Sequence, residues 1–371
     1  MFDDYNSSTC IIARMVRKLL CAITCLPFFS FLFLPSCAST PAPAVQPSLY
    51  IYRFSPPAFV QLSMDFQPVK EIPFSIPPDC WLMDVFPAPT GAFLSIELSC
   101  PNGQTVLFLD TDTNSVTQPV QETDSHFLAW TADGKNAYLK VDSLGNTRIV
   151  SSDKNGRLKN VDITGWTYDL STMPGSKDFV FAFSRGLGSG SEMILSQRDS
   201  RDFQQLLVDR YNYLSFARYS PDGKQLAFIK IPDSQTPFMV GELWVMDANG
   251  SHARKLADAD AGHGYAANWS PDGEWIAFVK RENVEDESAD QSADSLISNI
   301  YVVNLQSGEL KQITAFANGR AETPHWSPDG NTLAFSTVLD GRMEVQIADT
   351  ASGEIRSLAT EPACCPAWLR K

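Results

Sequence analysis

Between residues 211 and 359 short apolar runs are separated by clusters of Ser, Pro, Asp, Asn and Gly, and the clusters recur in nearly the same spelling. Trp269-Ser270-Pro271-Asp272-Gly273-Glu274-Trp275-Ile276-Ala277-Phe278 is the clearest copy. Tyr219 to Phe228 precedes it and Trp326 to Phe335 follows, while Trp130-Thr131-Ala132-Asp133-Gly134 is a worn version upstream. The string reads as a hairpin. An aromatic ends one strand, Pro presets φ in the turn, Asp and Gly suit the tight corner, and an apolar strand resumes. About fifteen residues later a second element recurs, in Glu242 to Gly250, Asn299 to Gly308 and Val345 to Gly353. It supplies a third strand, a polar turn and a fourth strand.

A four-stranded sheet cannot bury both faces alone, and one that repeats every 40 to 57 residues is expected to form an all-β ring of blades, a β-propeller. The Trp-Ser-Pro-Asp-Gly unit followed by Ile/Leu-Ala-Phe also resembles the repeat of TolB-like propellers, shared by the propeller domains of tricorn-type and prolyl-oligopeptidase-type peptidases. The resemblance is strong over 211–359 and weak over 81–207. First strands ending near Phe86, Trp130, Asp169, Tyr219, Trp269, Trp326 and Trp368 predict seven blades. Six is the alternative, because 162–207 is the least regular stretch and TolB resembles a six-bladed ring. Cys365 to Leu369 is a first strand with no blade after it, and 49–74 offers three strands with no first strand before them. Joining the two completes a blade and removes two free edges.

The chain opens differently. Arg14, Arg17 and Lys18 precede an apolar run from Leu19 to Pro35 that ends at Leu34-Pro35-Ser36-Cys37, the pattern of a secretory signal, with Met15 as the natural start. The end resembles a bacterial lipobox, which implies lipidation of Cys37 and departs from it at Pro35. Cleavage after Ala38 is the rival. The expected division is a leader over 1–37, a Pro-rich linker over 38–48 and the propeller over 49–371. A net charge of −14 makes nucleic acid and anionic lipid poor partners, so membrane contact is expected through the lipid alone, with the protein a monomer in the cell envelope, in the periplasm or on the surface.

Of the eight cysteines, Cys80, Cys100, Cys364 and Cys365 fall in the domain. Cys80 and Cys100 flank a hairpin and suit a bridge, while the vicinal pair can bridge to itself or cross to the first two. Each repeat aspartate caps its own turn and is no metal ligand. His126, His263 and His325 fall near the starts of first strands, where surface or packing roles outweigh a shared zinc site. Arg185 to Ser191 lacks the lysine and helix of a phosphate loop. No Gly-x-Ser-x-Gly elbow occurs. These residues give no catalytic set, metal or cofactor.

Glu282 to Asp294 interrupts the repeat with six acids and no base, and is expected to be solvated and mobile. It shares a face with the interblade loops, so the candidate working rim is Asp258, Asp260, His263, Glu285, Asp286, Glu287, Arg320 and Glu322, with His126 and His325. The favoured function is a non-catalytic binding or scaffold module for a protein, peptide or glycan. The alternative is a propeller-type enzyme, lyase-like or lactonase-like, with its site at the central mouth.

Overall fold

The computed structural model describes residues 47–370, except 122–123, 144–145, 164–165, 187, 198–201, 262–264 and 360. Cys37, His263 and the leader lie outside the described residues. Among the described residues, twenty-eight strands form seven antiparallel sheets of four. The stretch that looked least regular is a full blade, 166–209, so the ring has seven blades and not six. The first strands are Trp81–Pro87, Ser125–Trp130, Trp166–Thr172, Asn212–Tyr219, Asn268–Trp269, Arg320–Trp326 and Ala363–Leu369, and they surround the centre. The last of these pairs with Ser48–Phe54, Trp368 opposite Leu49, so the two ends of the chain close one blade. All seven residues of that closing strand are buried.

The repeat explains how the blades stack. Leu226-Ala227-Phe228, Ile276-Ala277-Phe278 and Leu333-Ala334-Phe335 are all at most 1% exposed, because second strands are covered on both faces. Ala227 clusters with Phe278 of the next blade, and Ala277 with Phe335. The small residue makes room for the ring, whose burial contributes roughly 1.5–3 kcal/mol. The repeat serine closes the turn: Ser220 Oγ donates to Asp222 Oδ1 at 2.7 Å and accepts from Gln225 N at 3.0 Å. Trp269 Nε1 donates across the blade boundary to Arg218 O at 2.9 Å, as Trp326 does to Asn268 O at 3.1 Å and Trp130 to Phe86 O at 3.0 Å. Aromatic, turn and apolar strand therefore serve three distinct contacts.

Candidate functional site

Each first strand except the short Asn268–Trp269 carries a break in register, as between Leu82 and Asp84, Thr167 and Asp169, Ser215 and Arg218, or Glu322 and His325. Such bulges re-aim side chains. Here they set polar residues along the channel wall, and Phe216 and Thr323 take positive φ of 57° and 46° within them. Asp169 Oδ2 accepts from Ala217 N at 2.7 Å, and its Oδ1 lies 3.6 Å from Arg218 Nη1. Burial outweighs these partners and raises the Asp169 carboxyl above its usual range.

Arg218 is the hub of this channel. Its charge is felt by Asp84, Asp169 and His325, which come from three other blades. Asp84 and His325 are both half-buried. Burial, reinforced by Glu97 and Glu322, raises Asp84 to about 7 against the pull of Val85 N–H and Arg218. Burial with the Arg218 charge lowers His325 to about 4, so the ring is neutral near pH 7. Glu322 accepts from Arg320 Nε at 2.6 Å. Burial, with Glu322 and Asp260 nearby, pushes Tyr265 well above its ordinary value.

The expected rim is redistributed by this geometry. His126 is at the mouth, near the start of its strand, with Nδ1 3.2 Å from Glu97 of the preceding blade. His325 is the penultimate residue of Arg320–Trp326, so it lies down the channel and not on the rim. The two histidines do not converge. Asp258 is exposed and held by Lys255 at 2.7 Å, whereas Asp260 is only 2% exposed and so offers no open surface to a partner.

The acidic insert also differs from expectation. It folds into two short 3-10 turns, Glu287–Asp290 and Ala293–Ser295, with Ala289 and Leu296 buried. The base that it lacks is Arg281, one residue before it. That fully buried side chain donates to Asn283 O, Asp286 O, Phe238 O and Asp290 Oδ1, at 2.8 to 3.3 Å. Asp286 caps the first turn through Ser288 N, while Glu285 and Glu287 point to solvent. Both disulfide candidates are formed: Cys80 to Cys100, and Cys364 to Cys365.

Sequence reasoning missed the channel residues Asp84, Asp169 and Arg218, and it missed the aromatic rim. Trp81 (74% exposed), Trp166 (48%), Tyr211 (82%) and Phe54 all stand on the face where first strands begin. Among described residues, Asp124, His126 and Asp142 form a group whose side chains could hold a metal ion.

No protein-family model matches the chain. It is 32% identical over 146 residues to an uncharacterized peptidase, YuxL, of Bacillus subtilis, covering 33% of this chain and 21% of that protein. It is 37% identical over 73 residues to the Tol-Pal system protein TolB of Alcanivorax borkumensis, 20% of this chain and 14% of TolB. The chain is a seven-bladed β-propeller, part of which is similar in sequence to TolB. The alignments span less than a quarter of either relative's length. Among solved structures, an oligogalacturonate lyase in complex with manganese superposes with a TM-score of 0.54 at 14% identity, over 84% of each chain. That likeness concerns the fold.

Proposed function

We propose that this propeller is a binding module, exported and lipid-anchored at Cys37, that grips a basic protein or peptide of the cell envelope on the face around the channel mouth. The observation that carries this reading is the exposure of Trp81, Trp166 and Tyr211 around a mouth where carboxylates outnumber bases. Tryptophan and tyrosine are the residues on which interface energy concentrates. The net charge of −14 favours encounter with a cationic partner. The TolB likeness is consistent with a protein partner. Fold alone transfers function poorly, so the site residues carry the argument.

The test is capture from envelope extract by the wild type and by a triple Trp81→Ala, Trp166→Ala, Tyr211→Ala variant. A protein retained by the first and absent from the second supports the reading; equal retention rejects this face. A glycan ligand in place of the protein would appear as retention that survives protease treatment of the extract. Anchoring is tested separately by Cys37→Ser, which should move the chain from the detergent phase to the aqueous phase.

A second reading has one observation in its favour. Asp84, at about 7, has the affinity for protons of a general base and lies within reach of the Arg218 charge. A propeller-type enzyme would use such a pair at the mouth. Incubation with oligogalacturonate, followed by assay for unsaturated products, checks this: no product from the wild type removes the lyase form of that reading.

A further inference from the structure

We propose that Asp124, His126 and Asp142 bind one divalent transition-metal ion, zinc foremost, at the rim between two neighbouring blades. His126 begins the argument. Its Nδ1 lies 3.2 Å from Glu97 Oε1, which suits an N–H on Nδ1, and its Nε2 is turned towards Asp124 Oδ1 at 3.4 Å and Asp142 Oδ2 at 3.9 Å. Two carboxylate oxygens in front of one ring nitrogen make a cluster that a cation between them would neutralise. A carboxylate behind the ring and an acceptor nitrogen in front is the arrangement that orients metal-binding histidines.

The distances suit an ion. Zinc binds imidazole and carboxylate at about 2.0–2.2 Å, which puts tetrahedral ligand atoms about 3.4 Å apart. The three ligand atoms here all lie within 4.8 Å of one another, so closure needs only small rotations. One imidazole with two carboxylates suits zinc or manganese better than calcium, which prefers oxygen alone. Three protein ligands leave a fourth position open to water or to a partner's oxygen. The competing cation is Lys140, whose Nζ lies 2.8 Å from Asp142 Oδ2; Asp142 Oδ1 accepts from Thr147. Among the described residues, Lys140 stands beside the carboxylates of Glu97, Asp124 and Asp142, which leaves room for a further cation. The ion shares Asp142 with Lys140 or displaces it. The site is independent of partner binding, because it rests on none of the exposed aromatics.

Calorimetric titration of the metal-stripped full chain with zinc and with manganese, checked by elemental analysis, tests this. One equivalent should bind. His126→Ala and Asp124→Asn should abolish it, Glu97→Gln should weaken it about 10- to 100-fold, and His252→Ala, at an exposed turn beside Asp247, should change nothing. Failure of the wild type to bind either ion overturns the proposal, as does wild-type affinity in His126→Ala or binding of calcium alone. Should His126→Ala not fold, Asp124→Asn decides, since that side chain is 45% exposed.

Discussion

Trp269 Nε1 lies 2.9 Å from the main-chain oxygen of Arg218, the residue whose side chain is the hub of the channel. One hydrogen bond thus ties the repeat's aromatic to the wall of the candidate site. Trp269→Phe keeps most of the packing and removes this hydrogen bond, at a cost of about 0.5–1.5 kcal/mol. The melting temperature should drop by several degrees. Tyr219 holds the same place one blade earlier, but its hydroxyl has no partner among the described residues. Tyr219→Phe should therefore be neutral or stabilising. Thermal melts of the two variants side by side check the contrast.

Closure is the next prediction. Deleting Ala363 to Lys371 removes the strand that pairs with Ser48–Phe54, including buried Trp368, itself worth roughly 3–5 kcal/mol. It also exposes two strand edges. The truncated chain should aggregate or melt far lower, as light scattering and calorimetry would show. A monomer with unchanged melting would mean that the ring closes elsewhere.

The insert gives a prediction opposite to the one its composition suggests. Replacing Glu282 to Asp294 by a short turn leaves the guanidinium of Arg281 with Phe238 O but without its counter-ion Asp290, and breaking a buried ion pair by removing one partner costs about 3–5 kcal/mol. Deletion should therefore destabilise, whereas Arg281→Met combined with the same deletion should recover most of the loss. Denaturant melts of the two deletion proteins distinguish these outcomes.

The pH dependence has a definite sign. The Asp84 pKa is raised from 3.8 to about 7, so the folded state binds the extra proton, and stability falls as pH rises across that window. The His325 pKa is lowered from 6.5 to about 4, so stability is lost as pH falls through that range. Asp84→Asn should gain on the wild type in stability between pH 5 and 8, and the gap should close near pH 4. A gap that widens towards acid would contradict the buried environment assigned to Asp84.

Much of the fold was legible because the repeat spells its own contacts. Serine, aspartate and glycine make the turn, the alanine makes room for the next blade's phenylalanine, and the tryptophan bonds across the boundary. The site was harder to read. Bulges shift the register inside the first strands, so alternation misassigns faces, and His325 was expected at the rim because its strand was read as starting there, whereas the strand begins five residues earlier, at Arg320. Asp84 and Asp169 stand in blades where the signature is worn. Glu97 reaches His126 from another blade, a distance that no local pattern encodes. In the insert, counting acids from Glu282 onward stopped one residue short of the arginine that organises them.

The central claim is that the aromatic, acidic mouth is the working face. It is tested most directly by surface binding of the partner captured from envelope extract to three proteins: the wild type, Trp81→Ala with Trp166→Ala, and Lys135→Ala with Lys224→Ala on the turns of the opposite face. Removal of a hot-spot aromatic costs about 2 kcal/mol, roughly 30-fold in affinity. The account predicts such a loss for the tryptophan variant, seen mainly in faster dissociation, and wild-type affinity for the lysine variant. Normal binding by the tryptophan variant and weakened binding by the lysine variant would contradict it.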